Sequence, residues 1–203
     1  MASRMHVLHR TYCIMAIENF EKYEFLKNNN SKAEENDYEE NIFKCYISTI
    51  VFSYMALEAY TFDLLCLIFD DDLVNNHFES LAVIDRFALI VKSINMNNKI
   101  NKDKIWYNYL YELNRTRNYF VHSKSFNFDP ENIANHIDKI NKQKNKNISI
   151  YNAIKLLFIT DDYMDNLIKG KIEHLELILS NRFETFDFDT ERSNLLKIKK
   201  ALI

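Results

Sequence analysis

The chain has 203 residues and a formal net charge of -3, enough length for one well-filled domain and too little positive charge for a protein that coats nucleic acid over its whole surface. One glycine and one proline in the sequence leave little material for tight hairpins and argue against a sheet-rich fold. The three cysteines, Cys13, Cys45 and Cys66, lack C-x-x-C spacing and are odd in number, which speaks against a disulfide framework and fits a reducing, cytoplasmic setting.

A first helix is expected over Thr11 to Lys27, with Cys13, Ala16, Ile17, Phe20 and Tyr23 at helical spacing. Asn28 to Glu40 is polar and reads as a solvated loop whose later acidic residues can open the next helix. That helix, about Glu40 to Phe69, is the longest. Ile42, Cys45, Phe52, Ala56, Ala59 and Cys66 form one seam, and Phe43, Ile47, Ile50, Tyr54, Leu57, Leu64 and Ile68 a second. A helix apolar on two sides belongs between neighbours. Glu58 and Asp63 lie within the same run. Each either points outward or receives a cation, since a buried carboxylate needs a partner. No continuous apolar run approaches the roughly 18 residues of a membrane span, and no signal-peptide core is evident.

The triplet Asp70-Asp71-Asp72 reads as a solvated loop or a helix cap in preference to a metal site. A third helix follows from Glu79 to Ile94, with Leu81, Ile84, Ala88 and Val91 inward, and Asp103 is placed to cap a fourth. The stretch from Trp106 to His122, WYNYLYELNRTRNYFVH, carries Trp106, Leu110 and Leu113 on one face, predicting their burial, and Arg117 falls on that stripe. A guanidinium stays charged, so its place among apolar side chains calls for a partner such as Glu58 or Asp63, a phosphate, or a subunit boundary. Ser123 to Pro130 closes the helix and offers Phe126 and Phe128 as core plugs or base-stacking rings. Glu131 to Ile140 can form a short helix. Lys139, Lys142, Lys144 and Lys146 make a basic run that is either solvated or tracks a phosphate backbone. Ser149 caps a helix that Gly170 ends, Lys171 to Phe183 forms another, and the amphipathic tail from Thr190 docks on the domain or on a partner. The expectation is a single all-α domain over residues 1–203, an antiparallel bundle from about 11 to 170 with a C-terminal helical extension from about 171. His6, His9, His77, His136 and His174 lack ligand-like spacing, and no glycine-rich phosphate loop occurs, so neither metal nor cofactor is expected.

Arg117 and His122 together make a phosphodiester chemistry. An imidazole moves the proton of a 2′-hydroxyl or a leaving oxygen, and a guanidinium fork holds phosphoryl oxygens as negative charge builds. Neither step requires a metal. Arg115 is a second candidate, because Arg115, Asn118 and His122 share a helical face at i, i+3 and i+7 whereas Arg117 and His122 lie about 140° apart.

The segment Arg117-Asn118-Tyr119-Phe120-Val121-His122 resembles the HEPN domains, all-helical proteins marked by Arg, four to six residues, then His, with a polar residue often following the Arg. The resemblance implies a metal-independent endoribonuclease, typically a homodimer whose two Arg-His motifs line one cleft, and often a toxin or phage-defence effector paired with an antitoxin or another defence protein. It implies His122 as acid or base, Arg117 on the phosphate and Asn118 as an orienting hydrogen-bond donor; Arg115, by its helical face, Glu58, by its place in the apolar run, and Lys124, beside His122, are candidate supporting residues. HEPN toxins with a nucleotidyltransferase antitoxin often carry Tyr two residues after the His. Here that position is Lys124, so control by that route is not expected. Two other readings remain: a HEPN-like module that binds RNA or protein without cleaving, and a helical interaction protein in which Arg117 is a paired core charge.

Overall fold

The computed structural model describes residues 8–29, 35–94, 96, 100, 102–122, 147–168 and 197–202, and among them there is no strand. The long apolar run becomes α2, Glu35–Ile68, and the other helices are laid around it: α1 (Leu8–Asn28), the one-turn α3 (Asp71–Leu73) running into a π-helical turn (Val74–Phe78), α4 (Val83–Ile94), α5 (Ile105–His122) and α6 (Ile150–Ile168). The expected turns and helices over Ser123–Pro130, Glu131–Ile140 and Lys171–Phe183, the basic run from Lys139 to Lys146, and Gly170 lie outside the described residues.

α2 buries Ile50, Tyr54, Ala56, Leu57, Tyr60, Leu64 and Leu65, and α1, α4, α5 and α6 all pack against it. By length and mean hydropathy its Tyr38–Ile68 stretch would suffice to cross a membrane; half of its most apolar window is buried inside this bundle. The sequence expectation considered only uninterrupted apolar residues and so passed over it. The buried face also contains Thr49, Ser53 and Thr61. Thr49 and Thr61 donate to the carbonyls of Cys45 and Leu57, one turn back, at 2.9 and 2.8 Å, which is how a hydroxyl enters a helical core without an unmet donor. Phe43, assigned to a core seam on periodicity, is 54% exposed. It lies close to the helix start, where α2 is flanked on fewer sides.

α1 runs antiparallel to α2, with His9 near Asp63 and Tyr12 stacked on Phe52. It starts and ends slightly outside the expected Thr11 to Lys27. α5 and α6 are also antiparallel. Trp106 near the start of α5 donates through Nε1 to Thr160 late in α6 (2.8 Å), while Thr116 late in α5 accepts the amide of Ile148, just before α6 (3.0 Å). Trp106, Leu110 and Leu113 are buried as the periodicity predicts. Ser149 caps α6, its Oγ accepting the Asn152 amide, and Asp70 caps α3 by accepting the Leu73 amide at 2.8 Å. The tail docks: Ile198 and Leu202 pack on the core, and Lys199 pairs with Asp162.

α4 departs most from expectation. It begins at Val83, not Glu79: Glu79 is the C-cap of the π-helical turn, its amide donating to the Val74 carbonyl, and the chain turns through Leu81 before the Ala82 carbonyl accepts the first amides of α4. Its buried face is Val83, Arg86, Phe87, Ile90 and Val91, rotated from the expected Leu81, Ile84, Ala88 and Val91 so that an arginine points inward. Arg86 is 4% exposed. Its Nε donates to the Leu81 carbonyl (3.0 Å), Nη1 to the Glu58 carbonyl (3.1 Å) and Nη2 to the Glu79 carbonyl. One guanidinium thus ties the connection before α4 to the middle of α2. Arg86→Met, which removes these charge-assisted bonds and strands the carbonyls, is expected to lower unfolding stability by about 3 kcal/mol in urea titration. Lys92→Met, at an exposed position of the same helix, should stay within about 0.5 kcal/mol of the parent.

Candidate functional site

Helical side chains lean toward the N-terminus of their own helix, and Arg117 accordingly reaches back along the seam between α5 and α2. Its guanidinium carbon lies 5.0 Å from the ring centroid of Tyr54, within the range of a cation–π contact. Tyr54 is 5% exposed. Its hydroxyl meets the backbone amide of Val83, the first residue of α4. Burial, and secondarily the Glu58 carboxylate, raise the hydroxyl pKa above its ordinary value against the opposing pull of Arg117, Arg86 and the Val83 amide. The phenol is therefore neutral at physiological pH and presents an uncharged π face to the guanidinium.

Asn118 holds the other side of the arginine. Nη1 of Arg117 donates to Oδ1 of Asn118 (3.0 Å), and Nδ2 of Asn118 donates to Oδ1 of Asn114 one turn earlier (3.3 Å). Toward Arg117, then, Asn118 is an acceptor, and one of its two amide N–H donors goes to Asn114. Arg115 is half-buried, with a buried Nε that has no hydrogen-bond partner among the described residues. The backbone is helical through His122, the last residue of α5, and at 100° per residue the positions of Arg117 and His122 lie about 140° apart around an ideal helix axis. Lys124 lies outside the described residues.

Of the two carboxylates of α2, Glu58 belongs to this neighbourhood. Its carboxylate acts on Tyr54, and its carbonyl accepts both Arg86 and the Thr61 hydroxyl. Asp63 faces another way. Its Oδ2 lies 2.8 Å from Nδ1 of His9, with side chains 13% and 2% exposed, and the His9 ring tilts against Tyr60. Asp63 thus does not point to solvent; it joins α1 to α2, and His9 is a satisfied core histidine. Cys13 lies one turn beyond His9 on the same helix, and burial, aided by the Asp161 carboxylate, pushes its thiol far above the ordinary range. It stays protonated and is no nucleophile. His77 is exposed, and among the described residues no group of three His, Cys, Asp or Glu side chains is placed to hold a metal ion.

Beyond Arg117, the last turn of α5 carries an aromatic cluster. Phe120 meets Phe43 and Tyr46 of α2 edge-on at 6.0 and 5.8 Å and its neighbour Tyr119 at 5.4 Å; Val121 beside them is 48% exposed. Sequence reasoning left Tyr54 and Arg86 out of the site. The signal for Tyr54 was its place one turn before Glu58 on the seam that faces Arg117; for Arg86 there was none, since its acceptors are backbone carbonyls. Compared with protein-family models, with curated proteins and with solved structures, the chain finds no match in any of the three.

If the His9–Asp63 contact is purely a join between α1 and α2, Asp63→Asn should cost about 1–3 kcal/mol of stability in urea titration, the usual range for weakening a buried polar pair. The chemistry of α5 should be unaffected in the same variant.

Proposed function

We propose that the chain is a HEPN-like endoribonuclease that cleaves RNA without a metal, using Arg117 and His122. The observation that carries this reading is a guanidinium held by Tyr54 on one side and Asn118 on another, on the helix that ends in His122, with Asn118 in the motif's polar place. Fixing a cation before the substrate arrives is what charge stabilisation in a transition state demands. In the proposed step a histidine accepts the 2′-hydroxyl proton, the 2′-oxygen forms a bond to phosphorus, and the bond from phosphorus to the 5′-oxygen breaks. A histidine returns a proton to that oxygen, leaving a 2′,3′-cyclic phosphate, while Arg117 bears the charge that develops on the phosphoryl oxygens.

The angular separation of Arg117 and His122 along one continuous helix supports a homodimer, in which the arginine of one copy and the histidine of the other meet across a two-fold axis. A toxin or phage-defence effector acting in the cytoplasm, held in check by a partner protein, is the biological setting that the motif resemblance implies. One observation favours a second reading, a HEPN-like module that binds RNA or protein without cleaving it: Arg117 already makes contacts within the fold, beside a partly exposed aromatic cluster.

Cleavage of labelled RNA in EDTA separates the two. His122→Ala should lower the rate by about 10²–10⁴-fold and Arg117→Ala by about 10²–10³-fold, with helical content retained. Arg115→Ala should lose less; a larger loss than for Arg117→Ala transfers the phosphate role to Arg115. Light scattering should report about twice the chain mass of 24.3 kDa.

A further inference from the structure

Tyr54 sits where three helices meet, and each constrains it differently. α2 supplies its backbone, α4 brings the Val83 amide to its hydroxyl, and α5 lays the Arg117 guanidinium on its ring. A ring buried to 5% exposure has little freedom to rotate. The guanidinium on it is held a second time, in its own plane, by the 3.0 Å bond from Nη1 to Asn118. Face and edge together define where the fork lies and which way it opens. A free arginine side chain carries large rotamer entropy, which it loses on gripping a phosphate. Here most of that ordering is done by the fold.

We propose that Tyr54 is a positioning residue for the ribonuclease site, a neutral aromatic platform that sets the place and plane of the Arg117 guanidinium so that it meets the phosphoryl oxygens in the transition state. This rests on the reading of Arg117 as the phosphate-binding cation, and it adds a residue that the Arg-His motif does not contain. Because the platform touches the arginine and not the RNA, its loss should appear in kcat, with KM little changed.

The test has two arms. In single-turnover and steady-state cleavage of a labelled RNA in EDTA, Tyr54→Leu should lower kcat about tenfold to thirtyfold at nearly constant KM, the scale of a desolvated cation–π contact. Tyr54→Phe, which keeps the ring, should recover most of that loss. In the Arg117→Ala background Tyr54→Leu should lose nothing further. The second arm needs no RNA. In the parent protein with 15N-labelled arginine, the Arg117 Nε–H signal, identified by its loss in Arg117→Lys, should be shifted by the Tyr54 ring current and exchange slowly with water, since that nitrogen is shielded from solvent. Equal losses for Tyr54→Phe and Tyr54→Leu, additivity with Arg117→Ala, or an unshifted and rapidly exchanging Arg117 signal would each overturn the positioning role while leaving ribonuclease activity standing. A parent protein with the expected signal but no cleavage of any RNA fails the other way: the contact is then structural, and both the activity and the role built on it fall.

Discussion

The constraint on which this fold depends is the burial of α2. A helix of 34 residues that hides Ile50, Tyr54, Leu57, Tyr60, Leu64 and Leu65 cannot be covered by one neighbour, and α1, α4, α5 and α6 each cover part of it. Leaving a polar group unanswered on that surface is costly, and of its buried hydroxyls only Ser53 lacks a hydrogen-bond partner among the described residues. Thr49 and Thr61 are answered by their own helix, Asp63 by His9 of α1, and Tyr54 by the Val83 amide of α4. The same demand brings Arg117 of α5 to the face of Tyr54. The candidate site is thus a by-product of how the central helix is sealed, and its rigidity is the rigidity of the core.

Arg86 and Arg117 divide the cationic work on either side of Tyr54. Three backbone carbonyls take the donors of Arg86, so that cation fastens the entry to α4 and has an architectural role. Arg117 meets the π face of Tyr54 and the side-chain amide of Asn118. A π face satisfies charge without consuming an N–H, so stacking leaves a guanidinium's forked donors suited to planar, bidentate recognition of phosphate. That difference in partner chemistry is a physical reason to assign the two arginines different roles, although both lie near one tyrosine.

The helical class and the inward stripe of α5 were legible because apolar residues recur at the helical period, and Ser149 and Asp70 were legible because a side-chain oxygen ahead of a helix has one obvious use. The face of α4 was not. Its amphipathic pattern admits more than one inward direction, and the direction chosen depends on carbonyls contributed by Glu79, Leu81 and Glu58, which no side-chain pattern records. Buried Thr49, Thr61 and Thr116 were missed for a related reason: a hydroxyl can find its partner one turn away or across a helix pair, so polarity did not mean exposure. In the site, the Arg117-Asn118 pair follows from adjacency in sequence. Tyr54 does not, since it reads as one more seam residue until α5 is laid beside it.

The chain has a single tryptophan, and its placement makes the molecule its own optical gauge. Trp106 stands edge-on to Phe87 of α4 at 5.2 Å, lies 5.5 Å from Tyr163 of α6, and donates its indole N–H to Thr160. One fluorophore therefore samples the joint of three helices, at the opposite end of α5 from His122. Emission from such a dry, hydrogen-bonded indole lies toward the blue and moves to longer wavelength when the joint opens. The colour of this one residue distinguishes loss of bundle packing from a change confined to the far turn of α5.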